Sequence, residues 1–307
     1  MTTKAIAINL QLDDNVAGYA HEARAAEDAG FAMVTAADHP GTCASPAAVL
    51  GALAVTTSTV KLCGYVINAG THEPLDLASD VATIDQLSGG RAILGIGAGH
   101  TPAEWSMYAR HYPSARERVD RLVELVDVTT RLLDGETVTF HGEHIHTNSA
   151  VLTEPRPVSA RVPVLIGGGG SRVLELAGRV GDIVSYTGLG RTLDDGHYHE
   201  VRWSPDHIDM ALSIVREAAT AAGRAGPVVD ILVQYNVVTG DRAETLARLM
   251  SRAGLPQEIL DQAPFLLVGT ITQQLDQILR NRERWGITSY TVRDRQAGAA
   301  LIAALNH

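Results

Sequence analysis

The segment GGRAILGIGAGHTPAEW, residues 89–105, decides the fold. A short apolar run, RAILGIG (91–97), leads through glycines into a helix start. Two folds place bare backbone at such a junction. A dinucleotide-binding turn needs G-x-G-x-x-G, with the helix opening on the glycines. Here Gly95, Gly97 and Gly99 give G-x-G-x-G, and His100 stands where the third glycine belongs. The helix opens later, with Thr101 as cap, Pro102 at the first helical position and Glu104 at capping-box spacing. The dinucleotide fingerprint therefore fails on spacing and on the helix junction. A parallel barrel instead carries its active face at the C-terminal ends of its strands. Glycines there let a flat ring lie against the backbone, because no Cβ intervenes. Barrel packing is the competing role for them; the titratable His100 at the end of the run favours ring binding.

Outward from this segment, β-rich runs alternate with longer amphipathic runs. The strand-like runs are residues 4–11, 32–38, 60–68, 91–97, 162–168, 181–188, 228–238 and 288–293. Helical patterns follow around 15–29, from 46, from Pro74, at 114–134, from Ser171, at 205–223, through 285 and to about 305. Alternation of this kind implies a parallel sheet, and eight units imply an α/β fold of the closed (β/α)₈ TIM-barrel type. A doubly wound open sheet is the alternative. A single domain over 1–307 is expected. Two long loops, 135–161 with TVTFHGEHIHT and 186–204, are insertions expected at the C-terminal face.

The bulk properties exclude several classes. The 307 residues carry a formal charge of −10, with no Lys/Arg run, so nucleic acid is not an expected partner. No apolar run reaches the roughly 20 residues of a membrane span. Cys43 and Cys63 do not make a disulfide framework. MTTKAIAINLQ enters a strand pattern without a signal-peptide pattern, so a cytoplasmic location is expected.

Three further stretches carry chemistry. GGGGSR (167–172) follows the fifth strand and opens a helix, where successive backbone N–H groups form an anion site and Ser171 is a natural N-cap. With no G-x-x-x-x-G-K-[ST], a phosphate outside a P-loop is expected there. AADHP (36–40) ends the second strand with Asp38 and His39, either an acid/base or ring-binding pair or a helix-start motif. YVINAGTHEP (65–74) puts Asn68 on the same face, with His72 and Glu73 beyond it, where a plain loop is the simpler role. The groups His141, His144, His146 and His197, His199, Glu200 fit a solvated face or substrate lid better than a metal site, and no metal is expected. H-E-x-x-H and G-x-S-x-G are absent.

Together these motifs resemble the luciferase-like flavin/deazaflavin oxidoreductases, in particular the branch that uses coenzyme F420. The stretches that carry the resemblance are EDAGFAMVTAADHP, LASDVATIDQLSGGRAILGIGAG, RVDRLVELVDVTTRLL with VTFHGEHI, and PVLIGGGGSRVLELAGRVGDIV. They span about residues 5–300. The resemblance implies a barrel with the ring in its mouth, Asp38 and His39 near the ring, and a non-proline cis bond at Tyr65–Val66 backing it. It implies ring or ribityl contacts from Asn68 and from Gly97, Ala98 and Gly99, with Gly167, Gly168, Gly169, Gly170 and Ser171 as phosphate loop. His100 stands where the sugar-phosphate dehydrogenase branch has a catalytic glutamate, and HEP stands where many relatives have RHP. The implied activity is hydride transfer between reduced coenzyme F420 and a C=C, C=N or C=O group of a small substrate. His39 or His100 would move the proton. An FMN-dependent two-component monooxygenase and a non-catalytic ligand-binding barrel are the alternatives. A homodimer is expected from the same resemblance.

Overall fold

The computed structural model describes residues 5–13, 16–192, 199–253 and 256–306. Eight parallel strands form the expected barrel: β1 (Ala7–Gln11), β2 (Met33–Ala36), β3 (Lys61–Gly64), β4 (Ala92–Gly97), β5 (Val164–Gly167), β6 (Ile183–Tyr186), β7 (Val228–Leu232) and β8 (Ile287–Val292). β8 returns to β1, and β3 meets β4 through Leu62–Ala92 and Cys63–Ile93, which closes the ring. Beyond β3, the pair Ile67–Asn68 also joins β4. The Tyr65–Val66 peptide between them is cis.

The helices are α1 (Tyr19–Asp28), α2 (Pro46–Thr56), α3 (Pro74–Ser88), α4 (Pro102–Met107), α5 (Ala115–Leu133), α6 (Ser171–Val180), α7 (Pro205–Ala221), α8 (Arg242–Ala253), α9 (Gln257–Gln262), α10 (Ile271–Trp285) and α11 (Arg295–Leu305). Local chemistry sets their ends. Ser114 with Glu117 opens α5 and Thr270 with Gln273 opens α10, each as a capping box. Gly89 and Gly286 close α3 and α10 in the left-handed conformation.

Two boundaries differ from the sequence pattern. The run 228–238 splits after Leu232, and Tyr235–Val238 pairs in parallel with Leu266–Gly269 outside the barrel. That second strand interrupts the helical run expected through 285. Phe265, Leu266, Leu267 and Val268 are all buried, and an apolar run this short between Pro264 and Gly269 suits a covered strand rather than a helix.

Several motif residues hold the scaffold. The Glu27 carboxylate accepts the backbone N–H groups of Ser58, Thr59 and Val60. Partial burial raises its pKa, but these donors outweigh it and bring the group down to about 2. Arg91 is buried and donates to the carbonyls of Ala54, Thr57, Val60 and Ser88, tying α2 and α3 to the foot of β4. Asp85 accepts from the N–H groups of Val158 and Ser159 and so fixes the return from the 135–161 insertion.

The barrel interior is layered, because alternate residues of each strand point inward. Met33, Cys63, Ile93 and Leu165 fill the lower layer. A polar layer lies above it. Asp230 is fully buried and accepts from Tyr65, Ser289, Thr291 and Asn9. The Tyr65 hydroxyl also bonds Ser185. Above this layer the barrel opens.

Candidate active site

A cavity of about 990 Å³ occupies the C-terminal mouth of the barrel. Asp38, His39, Tyr65, Val66, Asn68, Gly97, Ala98, Gly99, His100 and Gly167–Gly170 all line it. Ser171 lies on an adjoining open groove of about 590 Å³ with Arg116 and Arg172. Ala115, Val119, Gly170 and Val173 belong to both, so the groove continues the cavity past the start of α6.

Two crossed carboxylate–histidine pairs organise one wall. Asp38 does not meet the adjacent His39. Its Oδ2 accepts from the Asn68 backbone N–H and lies 2.9 Å from His72 Nε2. His39 turns instead to Glu104, with Nδ1 2.6 Å from Oε1. The other Glu104 oxygen accepts from Asn68 Nδ2 at 2.7 Å, and Asn68 Oδ1 accepts the Gly70 N–H. Asn68 thus links both pairs. Glu104 is 3% exposed, whereas the His39 side chain is 38% exposed. A carboxylate can only accept, so with Glu104 in that form the bond is donated by His39 Nδ1–H.

The expected capping box at α4 does not form. Thr101 is the N-cap, but its side chain makes no cap bond, and Glu104 points into the site. The same spacing serves both uses, and the demand of His39 and Asn68 prevails. Similarly, Ser171 is not the N-cap of α6. Gly170 takes that place in an extended conformation, with no side-chain cap. Among the described residues, no hydrogen bond is found for the N–H groups of Gly169, Gly170, Ser171 and Arg172. This is the geometry of an anion cradle.

The β4 glycines answer to packing. A Cβ on Gly97 would lie 2.7 Å from Val66 Cγ2. One on Gly99, at φ +73°, would lie 2.1 Å from Asn68 Oδ1. Internal close approach alone therefore requires glycine at both positions. Gly170 differs: a Cβ there would meet nothing within 4 Å.

His100 faces the cavity between His39, at 5.6 Å between ring centroids, and His199, at 4.8 Å. His199 comes from the hairpin Leu189–Thr192/His199–Val201, and His197 lies outside the described residues. Burial, then the neighbouring His199 and His39, lower the His100 pKa from 6.5 to about 4. The ring stays exposed at the cavity mouth, and at neutral pH it is uncharged, able to accept or donate one hydrogen bond. His141 and His146 stand on the other hairpin and do not line the cavity.

A model of the luciferase-like monooxygenases matches residues 6–284. The chain belongs to this family. It is 28% identical over 258 residues to 5,10-methylenetetrahydromethanopterin reductase of Methanopyrus kandleri, covering 80% of this chain and 69% of the relative. It is 31% identical over 221 residues to F420-dependent glucose-6-phosphate dehydrogenase of Kineococcus radiotolerans, covering 69% of this chain and 61% of the relative. An F420-dependent secondary alcohol dehydrogenase, solved with an F420-acetone adduct, superposes with a TM-score of 0.80 at 19% identity over 98% of both chains.

Within this luciferase-like barrel, the residues not anticipated from sequence are Glu104 as the partner of His39, His72 as the partner of Asp38, and Gln11, Gln234 and Arg293 on the far wall. Among the described residues, no three His, Cys, Asp or Glu side chains cluster as a metal would need. No helix among them is long and apolar enough to cross a membrane.

The depressed His100 pKa gives a signed pH effect. Unfolded His100 takes a proton near 6.5, and the fold refuses it until about pH 4. Stability is present above 6.5 and falls as pH drops through that window. His100→Gln should reduce the loss between pH 6.5 and 4.5 by ~1 kcal/mol, discounted for the open side of the ring. Parallel pH-dependent denaturation curves for the two proteins would contradict this.

Proposed function

We propose that this chain is a coenzyme F420-dependent oxidoreductase. It passes a hydride between the reduced deazaflavin and an electrophilic C=C, C=N or C=O carbon of a small organic substrate. The observation that carries the reading is the row of N–H groups at Gly169–Arg172, without acceptors among the described residues, beside the same cavity as the His39–Glu104 pair. The names of two relatives and of a structural neighbour, each of which says F420-dependent, support the choice of coenzyme.

The residues present suit such a group. The cavity has room for a tricyclic ring beside a substrate, and the groove past α6 offers the remainder of the coenzyme a route outward. The N–H groups of Gly169–Arg172, at the end of the Gly167–Ser171 loop, would hold its phosphate with the helix dipole. Val66, Asn68 and the Gly97–Gly99 turn would back the ring. When bound, coenzyme F420 supplies the two-electron hydride donor or acceptor.

The protein's own part is orientation, water exclusion and one proton. Glu104 fixes the tautomer and aim of His39, so Nε2 gives or takes the proton at the substrate heteroatom or carbon. Asp38 and His72 brace Asn68 and the backbone beneath it. His100, uncharged, stands at the mouth beside His199, where it can hydrogen-bond the substrate. The working state in this proposal is a cytoplasmic homodimer of one-domain chains.

The test is a titration of the protein with coenzyme F420 and, separately, FMN, read by quenching of the buried Trp105 and Trp203. Selective micromolar or tighter F420 binding is expected. Preference for FMN would move the reading to an oxygen-using monooxygenase, and binding of neither would point to a non-catalytic barrel. Gly170→Asp is a clean probe of the cradle, because the site has room and φ is −76°. It should leave thermal stability unchanged or slightly raised, since Asp is a good N-cap, and weaken F420 binding by at least about tenfold. Unchanged affinity would place the phosphate elsewhere. Glu104→Gln should lower turnover roughly 10²–10⁴-fold while F420 affinity stays nearly constant. Equal losses in affinity and turnover would make Glu104 structural.

A further inference from the structure

The far wall of the cavity carries polar groups that the chemistry above does not use. Leu10 pairs with Val292 across β1 and β8, so the next residues, Gln11 and Arg293, stand side by side. Leu232 pairs with Thr291 across β7 and β8, and the Val233 N–H donates to Thr291 O, which brings Gln234 level with Arg293. All three line the cavity. In the closed strand order, β8 is four strands from β4 and β1 is four strands from β5. Gln11 and Arg293 therefore face the glycine turns across the mouth.

Their hydrogen bonding is incomplete. Arg293 has one bond, to the Val233 carbonyl at 3.4 Å, and no carboxylate within 4.0 Å among the described residues. The two cavity carboxylates, Asp38 and Glu104, are held by His72 and His39. The other two cavity arginines are engaged: Arg202 pairs with Glu200, and Arg118 donates to the carbonyls of Gly99 and Pro113. Gln11 makes no side-chain hydrogen bond among the described residues, and its Oε1 is buried without a partner. Gln234 reaches only the Leu232 carbonyl, at 3.5 Å. Arg293 is exposed to the cavity; partial desolvation lowers its pKa, and the guanidinium remains charged.

We infer that Arg293, with the carboxamides of Gln11 and Gln234, forms a substrate subsite for a carboxylate. A guanidinium fork matches two carboxylate oxygens, and a carboxamide N–H can complete their coordination. The subsite rests on the reading that the coenzyme ring lies on the glycine side. The substrate is then a small organic acid, anchored at Arg293, whose reducible carbon reaches back toward the ring. Leu232, between Gln234 and the polar floor, supplies an apolar contact for the carbon skeleton.

The test compares isosteres. Acetate and benzoate, against acetamide and benzamide, are titrated by calorimetry into the F420-loaded protein and its Arg293→Gln variant. The wild type should prefer each carboxylate by at least about tenfold. Arg293→Gln should abolish the preference and leave F420 affinity unchanged, and Arg293→Lys should retain part of it, as a charge without the fork. Equal binding of acid and amide by the wild type overturns the subsite, as does a preference that survives in Arg293→Gln. A fall in F420 affinity in that variant would assign the guanidinium to the coenzyme and overturn it equally. If the wild type binds no F420 but the coenzyme-free protein still prefers carboxylates, the coenzyme assignment fails and the subsite stands.

Discussion

One buried carboxylate underlies the rest. Asp230 receives hydrogen bonds from β1, from β8 twice and from Tyr65 just beyond β3, while Ser185 of β6 joins through the Tyr65 hydroxyl. Five of the eight staves are thus tied at one level. Burial raises the Asp230 pKa, and its hydroxyl donors work against that rise. In a low-dielectric interior such a network is stabilising only when every member is satisfied. The barrel below it is packed with apolar side chains, and the barrel above it is open. Asp230 therefore marks the floor of the cavity, and Tyr65, held by it, fixes where the chain turns into the wall that carries Val66 and Asn68.

The site built on this floor separates its tasks by wall. Asn68, Glu104 and Asp38 are consumed by one another and by His39 and His72. The glycine-rich wall offers backbone donors and no side chains. The third wall, at the ends of β1, β7 and β8, offers side chains with unspent donors. A coenzyme, a proton and a substrate anchor can be handled by different elements without competition for the same groups.

Much of the scaffold was legible in the sequence because periodicity reports burial directly. The eight strand positions, the helix after each and the glycine loop after β5 follow from patterning and from helix-end chemistry. What was hidden depends on long-range pairing. Glu104 carries the spacing of a capping residue, and only the approach of His39 from another strand, 65 residues earlier, diverts it. His72 reads as a loop histidine until Asp38, 34 residues away, is placed beside it. Arg293 reads as the last residue of a strand. Only closure of the barrel shows that it faces inward, next to Gln11 from the opposite end of the chain. The strand at Leu266–Gly269 was masked because a four-residue apolar run between helices has no period of its own.

The glycine that begins α6 has a consequence for the whole molecule. A helix whose first donors lack a capping side chain is incomplete until something else accepts from them. An anion bound there closes the helix and engages only the folded chain. Its binding energy is therefore added to the stability of the fold, by about 2.7 kcal/mol at a hundredfold excess over the dissociation constant. On the proposed reading, a glycine in place of a capping side chain would shift part of the upkeep of the barrel to the surrounding solution, and the concentration of a small molecule would then set how much of the chain is folded at a given temperature.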